Sequence, residues 1–162
     1  MTAQAIAPSH PGPDWLGAMR RYFLFSLIGH FFWELAHIQL YTIWTEGSTE
    51  EIAFAILHCT GGDLMIAFST LLLSLFFFGD GEWPGRRAGP VLLATLVMGV
   101  GYTIFSEWLN IIVREAWAYR DIMPVIPIID AGLTPFLQWV VIPTVAYLGA
   151  TRRLSFRGLR HA

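Results

Sequence analysis

The first long apolar run of the chain reads RRYFLFSLIGHFFWELAHIQLYTIW, residues 20–44. A helix of this length crosses the hydrocarbon core of a bilayer, because an α-helix rises about 1.5 Å per residue and the core is roughly 30 Å thick. The run contains His30, Glu34 and His37, whose spacing places them on one helix face. Ionisable side chains are costly in lipid, so this face is expected to turn inward. The run therefore predicts a membrane helix with a polar stripe that marks a functional site.

Three more runs have the length and hydropathy of membrane spans. The four predicted spans cover about 20–44, 52–78, 89–117 and 124–149. Of the 162 residues, 55% are hydrophobic and only 14% are charged, which is more apolar surface than a soluble domain of this size can bury. We therefore expect an all-α, polytopic four-transmembrane-helix bundle over residues 20–150, with a flexible N-terminal tail at 1–19 and a basic tail at 151–162.

Arginine is distributed asymmetrically around these spans. Arg20, Arg21, Arg86 and Arg87 lie at one end with the four arginines of the C-terminal tail, whereas the loops at the opposite end are mostly acidic. The positive-inside rule places the arginine-rich end, and with it the N-terminus and C-terminus, in the cytoplasm. We expect a multi-pass protein of the bacterial inner (cytoplasmic) membrane, with its other end facing the periplasm. The lipid bilayer is its expected partner, and no basic stripe indicates nucleic-acid binding.

Composition excludes several kinds of chemistry. All ten basic residues are arginine, so a Schiff base between lysine and retinal or pyridoxal is excluded. Cys59 is the single cysteine, which excludes an internal disulfide and a thiolate cluster. Any metal bound by this chain would be held by nitrogen and oxygen ligands.

The ionisable residues of all four spans are predicted to meet in one pocket near the periplasmic end. Counting inward from the span ends at about 1.5 Å per residue puts most of them roughly 10 to 15 Å deep. Residues His58 and Asp63 are five apart, about 140° around a regular helix, so both reach the pocket only if Gly61 and Gly62 distort the turn or the polar face is wide. The predicted pocket residues are His30, Glu34, His37, His58, Asp63, Glu107, Asn110, Asp130 and Gln138.

The leading hypothesis from these residues is a divalent metal site that faces the periplasm and acts on a lipid-like small molecule. Imidazole and carboxylate ligands suit zinc, iron or manganese, with copper bound through imidazole as a further alternative. The proposed ligands are Glu34, His37, His58 and Asp63. Glu107 and Asp130 are further ligands or a catalytic acid–base pair. His30, Asn110 and Gln138 are expected to surround the ligands without binding the metal.

Four alternatives stay open at this point. In a metal-free isomerase, Glu107 would donate a proton while His30 or Glu34 accepts one. In a proton- or cation-binding module the acidic pocket would carry the ion, and a haem could be held by His37 and His58 from facing helices. In a non-catalytic assembly subunit the polar cluster would only hold the helices together. The residues predict no oligomeric state.

Several stretches resemble a group of small four-span bacterial inner-membrane proteins. They are HFFWELAH at 30–37, HCTGGD at 58–63 and SEWLN at 106–110, with the segments 117–124 and 133–143. This resemblance implies fold and location and brings no activity. A fainter similarity is to sterol isomerases of the emopamil-binding-protein type, in which a histidine and a glutamate one turn apart serve proton transfer with a carboxylate of another helix. His30, Glu34 and Glu107 match that arrangement.

Overall fold

A computed structural model describes residues 13–151, and within them the all-α bundle of four membrane-length helices is confirmed. A 3₁₀ turn at Ile38–Leu40 extends the first long helix, and a π-helix at Trp108–Val113 extends the third. The four candidate spans, with these extensions, have the length and composition needed to cross a membrane. The elements are α1 (Trp15–His37), α2 (Ile43–Glu46), α3 (Thr49–Phe78), α4 (Ala88–Glu107), β1 (Val125–Ile126), β2 (Ala131–Gly132) and α5 (Leu133–Thr151).

The four long helices form a ring in which α1 and α4 each pack against both α3 and α5. Large apolar side chains cover the outside of this ring: Phe76 is 81% exposed and Met65 is 72% exposed. A water-soluble bundle would turn such side chains inward, whereas a membrane protein presents them to lipid. The structure is that of a multi-pass membrane protein.

Polar caps fix where the first two long helices begin. The Asp14 carboxylate accepts a hydrogen bond from the Gly17 amide at 2.9 Å, and Ser48 and Glu51 form a reciprocal capping box at the start of α3. Because of the Asp14 cap, α1 already begins at Trp15, so residues 15–19 of the predicted tail are helical. The remainder of the predicted tails, 1–12 and 152–162, lies outside the described residues.

The fourth span begins later than predicted. Its expected start was 124, but α5 begins at Leu133, because the preceding residues form a short antiparallel hairpin in which Val125 pairs with Gly132. Pro124 and Pro127 have no amide N–H to give to a helix, and Asp130 has a φ of 47°, which a right-handed helix cannot contain. The third span also ends earlier than predicted, since α4 and its π-helical extension stop at Val113.

We call the end of the bundle that carries the connections 38–48 and 114–132 the site end. The two connections are joined there by backbone hydrogen bonds. The Thr42 amide donates to Ala118 at 3.0 Å, the Arg120 amide donates to Leu40 at 2.9 Å, and Tyr41 pairs with Tyr119 in an isolated antiparallel bridge. This pairing closes the site end over the space between the four helices and places loop side chains against them.

Candidate functional site

The polar stripe of α1 faces the interior of the bundle, as its spacing predicted. His30 is completely buried, and Glu34 and His37 are 4% and 7% exposed. The same face continues toward the other end of the bundle with Ser26 and Tyr22, which are also buried. Because every fourth or third residue of this face is polar, α1 supplies one side of an intramembrane polar cluster.

Gln138 of α5 is the centre of that cluster. Its amide nitrogen lies 3.0 Å from Glu34 Oε1, 2.8 Å from Asp63 Oδ2 and 3.0 Å from His30 Nδ1. Since α3 and α5 face each other across the ring, the contact with Asp63 spans the middle of the bundle. Sequence reasoning gave Gln138 a supporting role, whereas the structure makes it the residue that joins three helices.

The hydrogen count at Gln138 restricts where the protons lie. An amide nitrogen carries two hydrogens, yet three potential acceptors surround this one. His30 Nδ1 also lies 3.3 Å from Asp63 Oδ2. Gln138 therefore donates either to both carboxylates, with His30 Nδ1 donating to Asp63, or to His30 Nδ1 and one carboxylate. In both cases one amide group links His30, Glu34 and Asp63.

Glu34 also holds the imidazole of His37. Glu34 Oε2 lies 3.1 Å from His37 Nε2, one turn further along α1. The other ring nitrogen, His37 Nδ1, is buried and has no hydrogen-bond partner among residues 13–151. When Nε2 carries the proton and donates it to Glu34, Nδ1 presents a free lone pair, which is the arrangement of a carboxylate-oriented histidine base.

His37 forms part of the wall of a cleft at the site end. The cleft has a volume of about 370 Å³ and lies between the end of α1, the 114–132 connection and the start of α5. A volume of this size falls within the range of small-molecule sites. Its lining includes Trp33, Ala36, His37, Leu40, Arg120 and Thr134.

Glu107 enters the cluster from α4 with a partner that sequence reasoning missed. The Tyr119 hydroxyl donates a hydrogen bond to the Glu107 carboxylate and accepts one from the Gly132 amide at 2.7 Å. Burial raises the pKa of Tyr119, and the adjacent Glu107 carboxylate raises it further. Sequence reasoning missed this partner because a loop residue has no helical period that shows where its side chain points.

Glu107 is the last residue of α4 before the helix widens into its π-helical turn. Such turns are rare and recur at functional sites. Glu107 is 6% exposed and lies within electrostatic range of His37, Glu34 and Asp63. The cluster therefore contains three carboxyl groups and two imidazoles, with no arginine paired to any of these carboxylates among the described residues.

Three of the four predicted metal ligands, Glu34, His37 and Asp63, belong to the cluster, but His58 does not. His58 is exposed on the outer face of α3 and stacks on Phe54 with ring centroids 5.4 Å apart. The reason is that α3 is a continuous helix through Gly61 and Gly62, so His58 and Asp63 keep their wide angular separation. Over residues 13–151, no group of three or more His, Cys, Asp or Glu side chains has the arrangement needed to hold a metal ion.

Two other predicted site residues also lie apart from the cluster. Asp130 is exposed in the turn between β1 and β2, beyond the start of α5, so it does not share the pocket. Asn110 is buried but bonds within its own segment: its amide donates to the Ser106 carbonyl at 2.9 Å and its side-chain oxygen accepts from Arg114 at 3.4 Å. Asn110 thus stabilises the π-helical turn that follows Glu107.

The comparisons with known proteins assign no function to the site, so its geometry is the basis for the interpretation. No protein-family model, no curated protein and no solved structure matches this chain.

Proposed function

We propose that this chain is an integral protein of the bacterial inner membrane that transfers protons to and from a lipid-like molecule, as a metal-free isomerase does. The observation that carries the proposal is the pairing of Glu34 with His37 beside the cleft, with His37 Nδ1 left free of any partner in the described part of the chain. A carboxylate that fixes the tautomer of a histidine makes the opposite ring nitrogen a proton acceptor.

The proposed reaction is a shift of a carbon–carbon double bond. His37 Nδ1 takes a proton from a carbon next to an activating group, the electron pair of that bond moves into a new double bond, and a proton is returned to the far carbon of the old one. No atom is gained or lost, so the step needs no oxidant, reductant or metal. Glu34 stabilises the imidazolium that forms between the two transfers.

The groups behind Glu34 suit this role because they form one hydrogen-bonded network with it. Glu34 and Asp63 accept hydrogen bonds from the same amide of Gln138, and His30 lies against Asp63 at 3.3 Å. A change of charge on His37 therefore affects the whole hydrogen-bonded network and not one isolated carboxylate. The match of His30, Glu34 and Glu107 to the sterol-isomerase arrangement agrees with proton transfer as the chemistry.

We place the site end on the periplasmic side. Arg20, Arg21, Arg86 and Arg87 lie at the opposite end of the bundle, whereas the site end carries only Arg114 and Arg120 beside Glu46, Glu50 and Asp121 within the described residues. The positive-inside rule then puts the arginine end in the cytoplasm. A membrane-impermeant thiol reagent applied to intact cells should label a cysteine introduced at Glu46 and should leave one introduced at Arg86 unlabelled.

The proton-transfer proposal is tested with a long-chain β,γ-unsaturated ketone in nanodiscs, by following conjugation of the double bond and deuterium uptake from D₂O. Loss of a general base lowers such rates by roughly a hundred- to ten-thousandfold, so His37→Gln and Glu34→Gln should lose activity by that amount. His58→Gln is the matched control, because its imidazole lies outside the cluster. Equal rates in the wild type and His37→Gln would refute the proposal.

Two measurements separate the proposal from its rivals without a substrate. The ¹⁵N shifts of His37 should show a proton on Nε2 and none on Nδ1, and the reverse tautomer would contradict the proposed base. Elemental analysis and visible spectra of the purified protein should show no stoichiometric metal and no haem. Metal lost on both His37→Ala and His58→Ala would instead favour the metal hypothesis.

A further inference from the structure

The cleft beside His37 has an uncompensated positive charge at its rim. Arg120 donates a hydrogen bond from Nη1 to the Gln39 carbonyl at 2.7 Å, and its own amide is bound to Leu40. No carboxylate lies within 4.0 Å of its guanidinium in the range 13–151. A guanidinium has five N–H donors, so this side chain is fixed in place while most of its donors stay available.

Two buried nitrogen atoms of the same lining are also unsatisfied. Trp33 Nε1 and His37 Nδ1 are both shielded from solvent, and neither has a hydrogen-bond partner within the described residues. Among residues 13–151, seven buried side-chain atoms lack a partner, and these two belong to residues that line the cleft. The free N–H groups of Arg120 are the charged donors that the cleft offers to a polar ligand.

The lining also has an apolar side, next to the polar Gln39 and Thr134. Ala36, Leu40 and Ile122 border the cleft, and Ile122 is 58% exposed on the outside of the bundle. An alkyl chain that leaves the cleft on this side would stay in contact with lipid. The cleft volume of about 370 Å³ suits a headgroup and the first carbons of such a chain.

We infer that the cleft binds the anionic headgroup of a long-chain amphiphile, a carboxylate or a phosphate monoester, through the free N–H groups of Arg120. The first carbons of the chain then lie against His37. Binding itself does not depend on the proposed function, but the inference rests on that function where it names this amphiphile as the substrate class of the His37–Glu34 pair. A free amphiphile and an anionic lipid of the bilayer share the headgroup chemistry that the cleft recognises.

The test measures binding of spin-labelled stearate and of decyl phosphate to the full chain in phosphatidylcholine nanodiscs. A charge-assisted contact of Arg120 predicts a loss of affinity of roughly ten- to hundredfold in Arg120→Gln. Arg114→Gln is the matched control, because Arg114 lies at the same end of the bundle but contacts Asn110 instead of the cleft. The uncharged methyl ester of the labelled stearate should bind as weakly to the wild type as the acid binds to Arg120→Gln.

Two outcomes would overturn the inference: unchanged affinity in Arg120→Gln, or equal affinity for the acid and its methyl ester. Glu34→Gln separates it from the proposed function, since this variant should bind the acid normally while losing proton transfer. Doping the nanodiscs with phosphatidylglycerol identifies the source of the ligand. If phosphatidylglycerol competes, the natural ligand is an anionic bilayer lipid. If it does not compete, the natural ligand is a free amphiphile. Both results support the site.

Discussion

Close packing between α4 and α5 depends on the lack of a Cβ atom at Gly99, and a substitution to alanine tests this directly. A Cβ atom at Gly99 would lie 2.4 Å from Trp139 Cε3 and 2.8 Å from Trp139 Cζ3. Carbon atoms in contact prefer about 3.5 to 4.0 Å, so Gly99→Ala requires the two helices to separate by on the order of 1 Å. Trp139 is only 2% exposed and cannot turn away into lipid.

The control is Gly101→Ala on the same helix. Its Cβ would meet nothing within 4 Å, and the residue is exposed. Both substitutions gain the same helix propensity, about 1 kcal/mol, so this contribution cancels between them. The remaining difference is the overpacking cost at Gly99, which is typically about 1 to 3 kcal/mol. Gly99→Ala should therefore be less stable than Gly101→Ala by that amount.

The assay is unfolding by sodium dodecyl sulfate in mixed micelles, followed by circular dichroism, with both variants at equal detergent ratio. Displacement of Trp139 should also disturb the polar cluster. The centroids of the Trp139 and His30 rings are 5.1 Å apart, and Trp139 follows Gln138 in the chain. The ¹⁵N signals of His30 should shift in Gly99→Ala and stay in place in Gly101→Ala. A Gly99→Ala protein as stable as Gly101→Ala would refute the close packing on which this reasoning depends.

The other predictions concern the hydrogen bonds of the cluster and its surroundings. Gln138→Leu leaves two mostly buried carboxylates without their shared donor and should lower the free energy of unfolding by about 3 kcal/mol in the same assay; an unchanged midpoint would contradict the central role of this amide. Tyr119→Phe removes the bonds to Glu107 and Gly132 and should cost about 1 to 3 kcal/mol at neutral pH. Because the pKa of Tyr119 is raised on folding, its stabilising effect is present below about pH 10 and is lost as the pH rises further, so Tyr119→Phe should flatten the loss of stability in alkali; identical alkaline slopes would contradict this. Thr60→Val removes a buried hydroxyl that has no partner in the described part of the chain and should be neutral or stabilising, whereas Thr95→Val breaks the bond to Ser74 at 3.0 Å and should cost about 1 kcal/mol.

The length and hydropathy of the apolar runs predicted the four spans, and helical periodicity predicted the inward face of α1. His30, Glu34 and His37 lie within one stripe, and a stripe of this kind leaves few other orientations in lipid. The same reasoning failed for His58, because α3 has neither a distortion at Gly61 and Gly62 nor a polar face wide enough to bury His58. Where a prediction needed an irregular backbone, the regular one was the better expectation.

Helical periodicity could not predict the positions of the loop residues. Asp130 was assigned to a helix because an apolar run continued past it, yet the two prolines before it favour the β1–β2 hairpin instead. Tyr119 contacts Glu107 only because the 114–132 connection pairs with Tyr41, and such pairing between distant segments has no local signal. The contacts at the site end therefore follow only from the three-dimensional structure.

Gln138 connects the fold of this protein to its proposed chemistry. A neutral amide can donate to two carboxylates at once without adding a charge, whereas an arginine at this position would fix both of them as permanent anions. The carboxyl groups of Glu34 and Asp63 are consequently held in place without an arginine beside them. Glutamine also hydrogen-bonds between membrane helices in purely structural contacts, so the rates of Glu34→Gln and His37→Gln decide between proton transfer and a structural role.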